Sequence, residues 1–147
     1  MHTDLLHKTL RESHHFPTEP FETFLPLFDE RYLYKNEIIF SNGNVVKQLA
    51  FVLKGCLRHY RTTPEIQEQN IFFAEEGWWC CEMDSFIYYK PSTMSMQVLE
   101  DCHLLTISRE NQEHAAPTIP DYAHIMLCKL RFYCNFSPAN HYLWESY

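Results

Sequence analysis

The amino-acid sequence predicts a mainly β fold with flanking helices, arranged as one domain. Its 147 residues suffice for a single core, and 46% of them are hydrophobic. Residues 32–108 run as short β-rich segments separated by turn signals, which is typical of an antiparallel sandwich or roll. Segments with apolar residues at helical spacing come before and after that region. We therefore expect a β-roll with helices at both ends.

Two helical segments precede the predicted strands. The first covers residues 5–10 and ends before Pro17. The second begins near Pro20 and has an apolar stripe at helical spacing. That stripe consists of Phe21, Phe24, Leu25 and Phe28. Because Pro26 lies inside this pattern, we expect a kink or two short helices rather than one straight helix.

Six short runs of β-forming residues predict the strands. They cover residues 37–40, 48–53, 57–61, 67–73, 94–99 and 103–108. Asn42 and Gly43 follow the first run and supply the positive φ of a tight turn. Lys54 and Gly55 separate the second run from the third, so we expect a hairpin or a corner there.

Two more helices are predicted after the last strand. Ser108 caps a short helix from Arg109 to Ala115, and a longer helix covers residues 121–134. The longer helix has two apolar stripes. One stripe consists of Ala123, Leu127, Leu130 and Cys134, and the other of Ile125, Cys128 and Phe132. Since a helix with two apolar faces needs two partners, we expect one stripe to pack on the roll and the other to form a parallel homodimer.

Composition excludes several classes of function. The net charge of −7 argues against binding of DNA by this chain alone. Only three glycines occur, which excludes a glycine-rich phosphate loop or a dinucleotide fingerprint. The N-terminus lacks the features of a signal peptide, and no apolar run is long enough to span a membrane. We therefore expect a cytoplasmic protein without a membrane partner.

The cysteines and histidines do not form a recognisable metal or catalytic motif. Cys80 and Cys81 are adjacent, and such a pair rarely closes a disulfide, so free thiols are expected. No metal site is expected, since neither CxxC nor HxxxH spacing is present. The absence of an H-x-H pair and of a G-x-S-x-G elbow argues against cupin-type or serine-hydrolase catalysis. The sequence therefore predicts that the chain is not an enzyme.

Two long segments carry a resemblance to a known family. They are YKNEIIFSNGNVVKQLAFVLKGCLRHY and GWWCCEMDSFIYYKPSTMSMQVLEDCHLLTI. Together they resemble the effector domain of the Crp/Fnr superfamily of bacterial transcription regulators, over roughly residues 20 to 135. The most specific pieces are the strand before Asn42-Gly43, the VLKG corner and the LEDCHLLTIS strand pair. The resemblance implies a cyclic-nucleotide-binding jelly roll, or double-stranded β-helix, with N-terminal helices and a C-terminal dimerisation helix.

The resemblance also implies ligand-binding residues. Aligned without gaps through LEDC, the family's Gly-Glu-Leu element falls on Cys81, Glu82 and Met83, and its Arg-Ser/Thr element begins at Ser92 and Thr93. Glu82 then matches the acid that accepts from the ribose hydroxyl. Ser92 replaces the arginine that pairs with the phosphate, which costs at least about 1.5–3 kcal/mol of binding. The implied cofactor is a cyclic nucleotide, but we expect cAMP to bind weakly.

Each of these residues has an alternative structural role. Glu82 can be a surface carboxylate on a turn or cap, and Ser92 and Thr93 can be ordinary strand or turn hydroxyls. Trp78 and Trp79 can form the floor of a pocket, but their place after Gly77 at the entry of a turn favours positions in the core and at its rim. The two strand histidines, His59 and His103, fit cross-strand polar positions better than haem or metal ligands.

Two functions remain open from the sequence. The first is a ligand-sensing effector domain of a Crp/Fnr-like regulator. The second is a degenerate roll that acts only as a dimerisation or interaction module. We assign residues 1–135 to the effector domain and residues 136–147 to a tail or to the truncated start of a DNA-binding domain. The family's helix-turn-helix is missing from the sequence, and a natural fragment, a truncated gene product and an expressed piece are equally compatible with this.

Overall fold

Six strands form one antiparallel sheet in the computed structural model, which describes residues 4–5, 8 and 25–115. The strands are β1 (Asp29–Leu33), β2 (Ile38–Phe40), β3 (Gln48–Thr62), β4 (Glu68–Ala74), β5 (Trp79–Cys80) and β6 (Ser95–Ser108). A short 3-10 helix (Leu25–Leu27) precedes them. The helix α1 (Met83–Tyr88) lies between β5 and β6, and α2 (Arg109–Ala115) follows β6.

The two long strands β3 and β6 are the centre of the sheet. They pair with each other, while β1 lies outside β6 and β4 lies outside β3. The short strands β2 and β5 pair with β6 and β3, respectively. Residues 49–53 of β3 are all buried, so this part of the strand is covered on both faces. The predicted mainly β roll is confirmed.

The expected hairpin at Lys54-Gly55 is wrong. β3 continues through these residues, and its pairing with β6 shifts register between Val52 and Leu57. Gly55 has φ +101°, and a Cβ built on it would lie 2.6 Å from the Cys102 Sγ. The turn-forming residues therefore produce bulges that bend a continuous strand, which is the corner alternative. The runs at 94–99 and 103–108 are likewise one strand, β6.

Two apolar clusters fill the two sides of the sheet. The first consists of Phe28, Val46, Leu49, Phe51, Leu53, Trp79, Cys81, Phe86, Leu105 and Ile107. The second consists of Ala50, Val52, Leu57, Ala74, Cys80, Met96, Val98, Cys102 and Leu104. Alternate residues of β3 and β6 belong to different clusters, as strand geometry requires. The first cluster also buries Phe86 of α1, which fixes that helix against the sheet.

The described helices agree with the sequence only in part. Ser108 accepts a hydrogen bond from the Asn111 N–H at 3.0 Å, which confirms the predicted cap of α2. Pro26 lies in the 3-10 helix, so no straight helix passes through it. The rest of the second N-terminal helix and the helix at 121–134 lie outside the described residues. None of the helices in the described part of the chain has the length and apolarity to cross a bilayer.

Candidate functional site

Glu82 stands at the junction between β5 and α1. Its backbone is extended, with φ −91° and ψ 106°, and its carboxylate accepts from the N–H groups of Asp84 at 3.2 Å and Ser85 at 3.1 Å. The residue is only 6% exposed. Glu82 is therefore the N-cap of α1 and a buried acid, rather than a surface carboxylate.

Burial raises the pKa of the Glu82 carboxyl, because a low-polarity environment disfavours its charged form. The N–H groups of Ser85 and Asp84 and the hydroxyl of Ser92 act in the opposite direction. Ser92 is thus near enough to influence this carboxyl, although its hydroxyl proton is donated to the Met94 carbonyl. The structure thus brings together the two positions that the family resemblance matched to ribose and phosphate binding.

Ser92 is fixed by hydrogen bonds of both its side chain and its backbone. It is 1% exposed, and its hydroxyl donates to the Met94 carbonyl at 2.8 Å and accepts from the Met94 N–H at 3.1 Å. Its backbone N–H donates to the Asn44 carbonyl, and its carbonyl accepts from the Gly43 N–H, both at 2.7 Å. These contacts join the 41–46 turn to the segment before β6. Ser92 has a structural role whatever else it does.

The other predicted site residues differ in position. Thr93 is exposed, and its carbonyl accepts from the Asn42 side-chain amide at 3.5 Å. Cys81 is 3% exposed and belongs to the first apolar cluster, and burial raises its thiol pKa well above the usual range. Met83 is the first residue of α1. Glu82 and Ser92 are buried side by side, whereas Thr93 is exposed.

Arg109 is the cation that sequence reasoning missed. Its guanidinium donates to three backbone carbonyls, those of Phe86 at 2.9 Å, Val46 at 2.8 Å and Ser85 at 3.2 Å. The Ser85 hydroxyl in turn accepts from the Val46 N–H at 2.8 Å. Arg109 therefore fixes the last turn of α1 to the loop before β3. These contacts occupy the Nε and Nη2 donors and hold the guanidinium on the backbone of α1 and of the loop before β3.

The two strand histidines have different environments. His103 stacks on Tyr32 with ring centroids 4.3 Å apart, and its Nε2 lies 3.2 Å from a Glu30 carboxylate oxygen, as expected for a cross-strand polar residue. His59 is instead fully buried and stacks on Phe72 at 4.0 Å. Neither of its ring nitrogens has a hydrogen-bond partner among the described residues. Burial lowers its pKa to about 3, so the ring is neutral at physiological pH.

Trp79 and three of the cysteines, Cys80, Cys81 and Cys102, are core residues. Trp79 is 7% exposed and packs on Phe51 with ring centroids 5.1 Å apart. The four cysteines in the described part of the chain, Cys56, Cys80, Cys81 and Cys102, are free thiols. No group of acids, histidines and cysteines among the described residues has the arrangement of a metal site. The predicted free thiols are confirmed for these four.

The site as a whole offers one buried acid next to a hydroxyl and backbone amides. A carboxylate can accept from a ligand hydroxyl, and the hydroxyl of Ser92 can serve an anion only if it gives up its own backbone contacts. No cation of the described residues stands free beside Glu82: Arg109 is bound to carbonyls, and Lys90 is exposed over the Tyr88 ring.

The fold and this site define a regulatory β-roll, in which a short capped helix is inserted between two strands. The chain belongs to the cyclic nucleotide-binding domain family, whose model matches residues 30–115. This confirms the resemblance drawn from the VLKG and LEDC segments. The family is one of cyclic nucleotide-binding domains and not of enzymes, which agrees with the sequence-based expectation.

Solved structures of transcription regulators share the fold. The catabolite activator protein of Thermus thermophilus is 24% identical, with a TM-score of 0.78 over 93% of this chain and 63% of that one. The sensor domain of the regulator DNR from Pseudomonas aeruginosa is 22% identical, with a TM-score of 0.72 over 91% and 89%. The c-di-GMP responsive regulator CLP of Xanthomonas campestris is 20% identical, with a TM-score of 0.69 over 82% and 59%. The TM-scores show that these proteins share one fold with this chain.

The chain spans 63% of the Thermus protein's length and 41% of the length of a cAMP-bound regulatory protein with the same fold. Comparison with curated protein sequences found no significant match.

Proposed function

We propose that this chain is the ligand-sensing effector domain of a Crp/Fnr-like transcription regulator that acts in the cytoplasm. The observation that carries the proposal is the burial of both Glu82, the N-cap of α1, and Ser92. Both residues lie within the segment that matches the family model, residues 30–115. The family resemblance matched Glu82 to ribose recognition and Ser92 to phosphate recognition.

The ligand of this site differs from cAMP or binds differently. A phosphodiester needs a cationic partner when it is buried, and Ser92 supplies none. Ligand chemistry varies among proteins with this fold: the CLP regulator is described as c-di-GMP responsive, and a Toxoplasma gondii regulatory domain was solved with cAMP. We therefore expect cAMP to bind this chain with a dissociation constant no better than about 100 μM, two decades above a micromolar site.

A second function, a dimerisation or interaction module without a ligand, is favoured by one observation. Glu82 uses its carboxylate to cap α1, and Ser92 uses its hydroxyl on Met94, so both groups are satisfied without a ligand. In this case the homodimer expected through residues 121–134 would be the main activity. The two functions differ in whether the Glu82 site can be made to bind a nucleotide.

Calorimetry with cAMP and cGMP distinguishes the two functions. We expect weak binding by the wild type and a gain of at least tenfold in Ser92→Arg, because the guanidinium restores the phosphate partner. Thr93→Arg is the matched control, since it adds the same charge at the exposed neighbouring residue. Urea unfolding of each variant shows whether the buried substitution is tolerated. Micromolar binding by the wild type would contradict the arginine argument, and a folded Ser92→Arg that gains nothing would favour the module.

A further inference from the structure

A cavity of about 340 Å³ is lined by residues of the 41–46 turn and of the strands beside it. It is bounded by β2, the residues that lead into β3, and the facing parts of β1 and β6. None of the residues predicted for the nucleotide site lines it. Its volume is at the lower end of the range for small-molecule sites, roughly 300–1,000 Å³.

The inner end of the cavity is apolar except for one hydroxyl. Ala50, Met96 and Leu104 are buried there. Thr106 is 2% exposed, and its Oγ1 has no hydrogen-bond partner in the described part of the chain. An unpaired buried hydroxyl destabilises the fold, so a bound molecule that forms a hydrogen bond with it removes that unfavourable contribution.

The outer end is cationic. Arg31 and Lys47 line it together with the exposed polar residues Asn44 and Gln48. The Arg31 Nη1 donates to the Gln48 side chain at 3.2 Å, which uses one of the five N–H groups of a guanidinium. None of the described residues that line the cavity is a carboxylate. Asp29, the cross-strand neighbour of Thr106, is exposed and outside the lining.

This arrangement selects for an amphipathic anion. An apolar body fits against the buried aliphatic wall, while a carboxylate at the mouth meets two cations in a chain whose net charge is −7. A cation or a neutral polar molecule would find no complementary charge there. We propose that this cavity binds a small organic carboxylate with an apolar or aromatic body, at a site separate from Glu82. The proposal does not depend on nucleotide binding.

The test uses 4-phenylbutyrate as the probe and its neutral amide as the matched ligand, titrated into the full chain by calorimetry. We expect the acid to bind at least tenfold more tightly than the amide. Arg31→Gln should weaken acid binding about tenfold, since it removes the charged donor. Arg61→Gln is the control, because Arg61 is an exposed arginine that does not line the cavity.

Two further variants test where the probe sits. Ala50→Leu should abolish binding by filling the inner end. Thr106→Val should weaken binding about fivefold and leave thermal stability equal or higher, because it replaces an unpaired buried hydroxyl with a methyl group of similar size. This stability readout keeps the test valid if Ala50→Leu fails to fold. Equal affinity for acid and amide, unchanged binding in Thr106→Val, or no binding of the acid at millimolar concentration would each overturn the proposal.

Discussion

The guanidinium carbon of Arg109 lies 3.8 Å from the centroid of the Tyr89 ring. Tyr89 ends α1 in the left-handed conformation with φ 59°, and its hydroxyl donates to the Glu113 carboxylate of α2 at 2.8 Å. The stacked pair therefore connects the end of α1 to the start of α2.

Replacement of Arg109 tests how much this connection stabilises the fold. We expect Arg109→Met to lower the free energy of unfolding by about 2–3 kcal/mol, because it leaves three carbonyls without their charged donor. Urea denaturation followed by tryptophan fluorescence measures the change. Lys90→Met is the control, since Lys90 also lies over a tyrosine ring but is exposed. Equal effects of the two substitutions would show that the carbonyl contacts contribute little.

The bend in β3 predicts different costs for two glycine substitutions. Gly55→Ala should destabilise the fold by about 3 kcal/mol, because its Cβ would lie 2.7 Å from the Asp101 carbonyl oxygen and φ is +101°. Gly43→Ala has a similar φ of +95° but nothing within 4 Å of the added atom, so only backbone strain of about 1–2 kcal/mol remains. Thermal unfolding of both variants gives the comparison. A Gly43 variant as unstable as the Gly55 variant would contradict the steric argument.

The dimer expected from residues 121–134 can be tested without knowledge of the ligand. Leu130→Glu places a charge in one apolar stripe and should raise the dimer dissociation constant at least tenfold. Sedimentation velocity over a concentration series measures this. Lys129→Glu is the control, because it changes charge at a neighbouring position outside both stripes. A wild-type chain that is monomeric at high micromolar concentration would remove the idea.

The sequence predicted most strands but not their continuity. The turn signals at Lys54-Gly55 are local. The continuation of β3 depends instead on its pairing with β6, where Lys54 lies opposite His103. β1 and β5 were missed for a related reason. β1 is mostly polar, and β5 has only two residues, so neither has a periodic pattern to detect.

In the candidate site, too, some residues could be predicted from the sequence and others could not. Family resemblance located Glu82 and Ser92, and the structure brings their side chains together. The family resemblance gave no indication of Arg109. Its partners are backbone carbonyls, which every residue has, so no side chain in the sequence marks them. The burial of His59 was also unpredicted, because the bulges in β3 shift which residues face inward.

The buried ring of His59 predicts a loss of stability in mild acid. Its pKa is about 3 in the fold and about 6.5 in an unfolded chain, so below pH 6.5 the unfolded state binds a proton that the fold excludes. This contribution to the free energy of unfolding falls by up to about 1.4 kcal/mol per pH unit between pH 6.5 and 3. His59→Leu should remove that dependence and raise stability at pH 7.5 by about 1 kcal/mol, since two unpaired nitrogens disappear. Urea unfolding at several pH values measures both effects, with exposed His114→Leu as the control. An unchanged pH slope in His59→Leu would mean that other groups govern acid sensitivity.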